Sequence, residues 1–233
     1  DEIRGAFEVA LTMLGALEPR LIEIVVLSLR VSLTAVLISA IIAMPLGAAL
    51  ALQRFPGRRA AIVTLNVLMG LPPVVVGLVV YLMLSRSGPF GVFGLLFTPT
   101  AMIVAQVVLV VPIVASLTRQ VVEALWEEYR ETFRSLAVPP TQALTALLWD
   151  ARFALVTALL AGFGRAVAEV GAVMIVGGNI DHVTRVMTTS IALEVSKGNL
   201  ALALGLGIIL LVLSAGINGA AYVIQHGTKR WHA

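Results

Sequence analysis

Five apolar stretches, each long enough to cross a bilayer, decide what this chain can fold into. They run from about Leu21 to Leu52, Ala60 to Leu84, Pro99 to Val122, Arg152 to Val176 and Asn199 to Ile224. A helix needs about 20 predominantly apolar residues to traverse the hydrocarbon core. Lipid offers no partner to a backbone N–H or C=O, so each segment must satisfy its own. The expected fold class is therefore all-α: a polytopic membrane helix bundle with five transmembrane helices. Composition agrees. Only 12% of the 233 residues are charged and the mean hydropathy is +1.01, against about 25% charge in a soluble domain.

The remaining composition removes whole classes of function. A net charge of +3, from 16 basic and 13 acidic residues, is too small for a nucleic-acid partner. An aromatic content of 6% leaves little for stacking on bases. The absence of cysteine excludes thiolate metal sites, iron–sulfur clusters and a disulfide scaffold. We read residues 1–233 as one transmembrane domain, with 1–20 an N-terminal surface helix. Its core, Ala6–Leu17, is too short to span, carries Glu8 and is stopped by Glu18-Pro19-Arg20. It lies either on the membrane surface or against its own protein. A cleaved signal peptide is disfavoured, because the basic start and small-residue cleavage site are missing.

Basic residues set the expected orientation. With the N-terminus outside, the inner segments hold Arg54, Arg58, Arg59, Arg119, Arg130, Arg134, Arg152, Lys229 and Arg230, and the outer ones Arg4, Arg20, Arg86, Arg185 and Lys197. Nine against five predicts N-out and C-in. Trp126, Trp149 and Trp231 fall on the same inner side, as interfacial anchors should. Within the first span, Ala35, Ser39, Ala43 and Gly47 recur every four residues, a ridge that lets a neighbouring helix approach closely. Shorter matches occur at Ala158/Gly162, Gly164/Ala168 and Ala215/Gly219.

Between the third and fourth spans, residues 123–150 do not belong in lipid. Glu127 is spaced to meet Arg130, and Glu131 to meet Arg134, while Leu125, Tyr129, Phe133 and Leu136 form one apolar stripe. Pro139-Pro140 ends that amphipathic helix, and a second short helix, Thr141–Leu148, returns the chain to the membrane. Such a helix–break–helix either docks into a partner's groove or packs under the bundle.

The same loop resembles that of permease subunits of binding-protein-dependent ABC importers. That family carries Glu-Ala-Ala, three residues, Gly, then nine residues and Ile-x-Leu-Pro. Here the run is Glu131-Thr132-Phe133, three residues, Ala137, and then Leu147-Leu148-Trp149-Asp150. The glycine has become alanine, and Val138-Pro139-Pro140 supplies the break. GLPPVVVGL (70–78) looks like the sulfate, molybdate and tungstate permeases, and GRAVAEVGAVMIVGGNI (164–180) is similar to the tungstate branch in particular. The resemblance covers about Ile24 to the end. It implies a multi-pass protein of a prokaryotic cytoplasmic membrane that carries tungstate, or a related oxyanion such as molybdate, inward. It further implies a second copy of the chain, two ATP-binding-cassette ATPase subunits and an extracytoplasmic anion-binding protein. The ATPase-coupling residues would be Glu131, Thr132, Phe133, Arg134, Ser135, Leu136, Ala137 and Val138.

Polar residues inside the spans mark the candidate path. Arg165 and Glu169 are an opposite-charge pair four residues apart, read as lying on one helix face toward the inner half. An ion at the bilayer centre costs at least about 2.5–3.5 kcal/mol on insertion scales, so the pair is either a mutually neutralising clasp or gate, or it contacts the anion directly. In direct contact, Arg165 would attract the anion and Glu169 limit how tightly it is held. Pro72-Pro73 frees carbonyls in mid-membrane, which suits a cavity-lining span or a simple kink. Gly177-Gly178-Asn179 should stop the fourth helix. Asn179 either caps that helix or contacts the binding protein or the anion. Arg30 can reach the interface or a neighbouring carboxylate. His182 and His226 stand near membrane faces with no companion ligands, so no metal site is expected. Nothing resembles a phosphate-binding Gly-x-x-x-x-Gly-Lys-Ser/Thr loop or a catalytic set, so the chain should be non-catalytic and need no cofactor of its own. Two other readings compete: an ion-coupled secondary transporter using Arg165/Glu169, which the lack of an inverted repeat disfavours, and a scaffold with no transport role.

Overall fold

The computed structural model describes residues 18–229, with Glu8, Thr12, Gly15 and Ala16 ahead of them. Among these residues every regular element is helical. The chain forms α1 (Pro19–Leu52), α2 (Arg58–Met69), α3 (Pro73–Leu84), a 3₁₀ turn (Gly91–Phe93), α4 (Pro99–Ser135), α5 (Pro140–Asp150), α6 (Arg152–Val167), α7 (Gly171–Gly177), α8 (Met187–Ser196) and α9 (Leu200–Lys229). Prolines start four of them: Pro19, Pro73, Pro99 and Pro140 stand at the first helical position, where no N–H is needed. Thr98 adds a side-chain cap, accepting from the Ala101 N–H at 3.4 Å.

Helices α1, α4 and α9 are each long and apolar enough to cross a membrane. Two bent pairs could each supply one more span: α2 with α3, bent by 102°, and α5 with α6, bent by 67°. The fold is an all-α membrane bundle, as expected, but two of the predicted spans are not single helices. The second breaks at Gly70-Leu71-Pro72, where two adjacent prolines, Pro72 and Pro73, remove two successive N–H donors from the ladder, and Pro73 opens the next helix. The fourth stops at Val167 and restarts at Gly171. The third span and the amphipathic segment after it, expected as separate helices, are one 37-residue helix. The expected surface helix over 6–17 lies largely outside the described residues, although Glu8, Thr12 and Gly15 are helical. Arg4, Arg230 and Trp231 also lie outside them.

The core is built on α1 and α4, which pack side by side with their N-termini at the same end. The predicted ridge is the seam: Ala35, Ser39 and Ala43 are fully buried. At Gly47 the helices approach closely, since a Cβ there would lie 2.8 Å from Thr118 Cβ and still nearer the Ala115 carbonyl oxygen. One apolar cluster joins Val31, Val76, Met102 and Val173 toward the Pro99 end, and a second joins Ala43, Leu65, Val114 and Ala166 further along. The opposite faces of α1 and α9 are apolar and exposed, with Ile41 75% and Leu211 72% accessible, as lipid-facing surfaces are.

Candidate functional site

The 123–150 segment folds as an elbow. The C-terminal third of α4 projects from the bundle, turns at 136–139 and returns through α5. The turn is a Schellman motif: the Val138 N–H donates to the Phe133 carbonyl at 2.9 Å and the Ala137 N–H to that of Arg134 at 3.1 Å. Ala137, where the resembling family has glycine, adopts the left-handed region at φ 49°. That conformation costs a non-glycine residue about 1–2 kcal/mol, and the hydrogen bonds with the following Pro139 hold it.

The elbow divides into an inward and an exposed set of residues. Phe133 is half-buried, stacked on Trp126 with centroids 6.2 Å apart and tilted against Tyr129, over a floor of Val122 and Leu147. Trp126 is thus packed, partly buried, against this inner cluster. Val138 is also half-buried, while Glu131, Thr132, Arg134, Ser135, Leu136 and Ala137 are exposed, with Leu136 70% accessible. Part of the segment therefore packs under the bundle while its tip is exposed. Asp150, at the end of α5, reaches back to Tyr129: its charge and hydrogen bond hold the phenol above its ordinary value of 10.0. Trp149 stays exposed at 71%, with the Arg152 guanidinium 4.8 Å over its ring.

The second site is the break between α6 and α7. Arg165 and Glu169 do pair, Nη1 to Oε2 at 2.5 Å, but not along one helix face. Glu169 stands in the break, 4% exposed, and its Oε1 accepts the Ala172 N–H at 3.1 Å, capping α7. Two carbonyls freed by the break receive donors from other elements: Gln106 Nε2 of α4 donates to Ala166 at 3.0 Å, and Thr188 Oγ1 of α8 to Glu169 at 2.8 Å. The sequence expectation also placed the pair toward the inner half. It lies near the C-terminal end of α6, level with the first turns of α4, at the end away from the elbow.

Pro72 and Pro73 are brought to this same place. A Cβ on Gly171 would meet Val74 Cγ2 at 2.7 Å, and one on Gly77 would meet Ala172 Cα at 2.7 Å. The two broken segments thus touch where each resumes. Gln106 and Thr188 were missed, although an amide inside AMIVAQVVLVV is a visible signal.

Gly178 ends α7 at φ 70°, as expected of a glycine stop. Asn179, at φ 50°, does not cap that helix but turns inward, its Nδ2 donating to the Thr189 carbonyl at 3.4 Å. The loop it begins is tied to the start of α1 by Arg20–Asp181 at 3.5 Å and Glu23–His182 at 2.8 Å. Arg30 lies on the exposed face of α1. Among the described residues no group of three or more His, Cys, Asp or Glu could hold a metal.

The last turn of α8 carries a buried carboxylate that no motif in the sequence marks. Glu194, 3% exposed, accepts from Lys197 Nζ at 3.1 Å and Asn199 Nδ2 at 2.9 Å. Burial works to raise its pKa, but these donors and the Lys197 charge outweigh it, and the net shift is downward from 4.5. A depressed folded-state value stabilises above the unfolded value and is lost as pH falls through the folded one. Glu194→Gln should therefore lower the melting temperature at pH 6, and the gap from the parent should close as pH drops below 4.5. A gap independent of pH between 6 and 3 would refute the assignment.

The described residues form a helical membrane bundle with two broken spans, the Arg165–Glu169 ion pair at one break and an elbow at 123–150. The model of the binding-protein-dependent transport system inner membrane component matches residues 42–230. The chain belongs to that family. It is 42% identical over 203 residues to a probable anion ABC transporter permease of Haloferax volcanii, covering 85% of this chain and 88% of that protein. It is 40% identical to the tungstate uptake system permease TupB of Peptoclostridium acidaminophilum, across 97% of this chain and 99% of the relative. The TupB of Campylobacter jejuni is 38% identical, over 70% and 66%. The relatives are named as permease proteins, and the chain, an inner membrane component by family, is a multi-pass permease subunit of the cytoplasmic membrane.

Proposed function

We propose that this chain, paired with a second copy, forms the path by which tungstate, or a related oxyanion such as molybdate, enters the cell. Two ATPase subunits drive it at the elbow, and an extracytoplasmic binding protein delivers the anion to the opposite end. The observation that carries the reading is the 40% identity to a tungstate uptake permease across 97% of this chain. Family membership counts against the ion-coupled alternative.

Inward movement of a dianion against a negative-inside potential costs about 2.3 kcal/mol per charge per 100 mV, so accumulation needs an outside source. In this scheme the N-terminus is outside and Glu131–Val138 meet the ATPase, chiefly through the exposed Leu136 tip. Pro72 and Pro73 let the second span flex beside the path. The third-exposed Arg165 attracts the anion, while buried Glu169 limits how tightly it is held, because a trapped dianion could not leave. Asn179 fixes the loop that faces the binding protein. To test this, the permease is reconstituted with its ATPase and loaded binding protein, and labelled tungstate and molybdate are followed. ATP should drive uptake, and Leu136→Asp should cut it by about tenfold or more through a weakened docking contact. No ATP-driven uptake of either anion would overturn the reading.

A further inference from the structure

Where the elbow joins the bundle, Glu123 of α4 ties three helices together. Its Oε1 accepts from Arg58 Nη2, at the first position of α2, at 2.8 Å, and its Oε2 pairs with Arg119 one turn back on α4. Arg58 does more than balance charge. Its Nε donates to the Leu50 carbonyl at 2.7 Å and its Nη2 to that of Ala51 at 3.4 Å. Those are orphan acceptors at the C-terminal end of α1, where a cation is favoured.

A second polar link holds α2 to α4 further along, Ser116 Oγ donating to Asn66 Oδ1 at 3.2 Å. The residue before Glu123, Val122, sits in the cluster under Phe133 with Leu147. At its other end α2 reaches the 102° bend at Gly70-Leu71-Pro72, beyond which Val74 lies against Gly171. Contacts are therefore continuous from elbow to helix break, and the bend is where that line can flex.

We propose that Glu123 is the joint through which displacement of the elbow reaches the broken second span. Gripped through Arg58, α2 rides with α4 as one body, and the change is taken up at Gly70–Pro72, which re-aims Val74 against the Glu169 break. Glu123 and Arg58 are positioning residues that touch no anion. This rests on the ATP-driven reading above, so the parent complex serves as its control.

The experiment uses the reconstituted complex with ATPase and binding protein, and reads tungstate taken up per ATP hydrolysed. Glu123→Gln should lower that ratio about tenfold, in the range of measured coupling contributions, while ATP hydrolysis continues. Glu123→Asp should restore part of it. A separate measurement needs no substitution at the joint. The chain has no native cysteine, so nitroxides can be placed in pairs, through Arg59→Cys with Ala124→Cys and through Arg59→Cys with Leu78→Cys. The distance from 59 to 124 should stay fixed between nucleotide-free and ATP-bound complexes, while that from 59 to 78 changes. A parental ratio in Glu123→Gln, or a 59–124 distance that changes with nucleotide, overturns the proposal while leaving the transport reading intact. No ATP-driven uptake by the parent would overturn both.

Discussion

Gly47→Leu is expected to abolish accumulation of folded protein in the membrane. The neighbours that a side chain at this position would strike are largely backbone: the Ala115 carbonyl oxygen and the Arg119 nitrogen, the latter at 3.0 Å, with Thr118 Cβ at 2.8 Å. Backbone in a regular helix cannot rotate aside as a flexible side chain can, so α1 and α4 must separate. Overpacking of a well-filled core costs about 1–3 kcal/mol and occasionally more. Here the displaced seam also carries the buried Ala35, Ser39 and Ala43, and helix association in lipid depends on such close packing. Even Gly47→Ala should lower the melting temperature of the purified chain. Gly164→Ala is the control, because nothing stands within 4 Å of a Cβ there. Equal melting temperatures for the two alanine variants would remove the seam from the account.

Removal of the Glu169 carboxylate should damage stability and transport together, by separable routes. Glu169→Ala deletes both the partner of Arg165 and the acceptor of the Ala172 N–H. Removing one member of a buried pair costs about 3–5 kcal/mol, and the third-exposed Arg165 brings this case toward the lower bound. Glu169→Gln keeps an oxygen for Ala172 but loses the charge. It should fold better than Glu169→Ala and still transport poorly, since Arg165 would then hold the anion without a competitor. The check is thermal unfolding of each variant alongside uptake and release in the reconstituted complex. If the glutamine variant transports at the parental rate, the carboxylate only caps a helix.

The bundle was legible because lipid permits little else for these apolar runs, and the small-residue ridge needed only its four-residue period to be found. The breaks were harder to read. Pro73 looks the same in sequence whether it kinks a span or starts a new helix. The 168–170 break carries no proline at all, being held by Gln106 and Thr188, from elements 60 and 19 residues away. Arg165 and Glu169 were found for the right reason, the cost of charge in lipid, but helical spacing gave them a shared face that does not exist. At the elbow the period identified an apolar stripe without saying which side it faced. Phe133 turned inward because Trp126 and Tyr129 on the same helix offer it rings to pack on.

The uninterrupted run of α4 has a mechanical consequence. Its 37 residues make a rod of roughly 55 Å, where the hydrocarbon layer is only about 30 Å thick. The buried Pro112, whose ring removes one rung of the ladder, is a natural fulcrum. From there to Ser135 is roughly 35 Å, so a tilt of about 5° sweeps the tip through about 3 Å. Gearing of this kind trades travel for force. A modest swing outside the bilayer becomes a short, strong push inside it, where shifts smaller than an atom's width decide whether tightly fitted side chains stay shut.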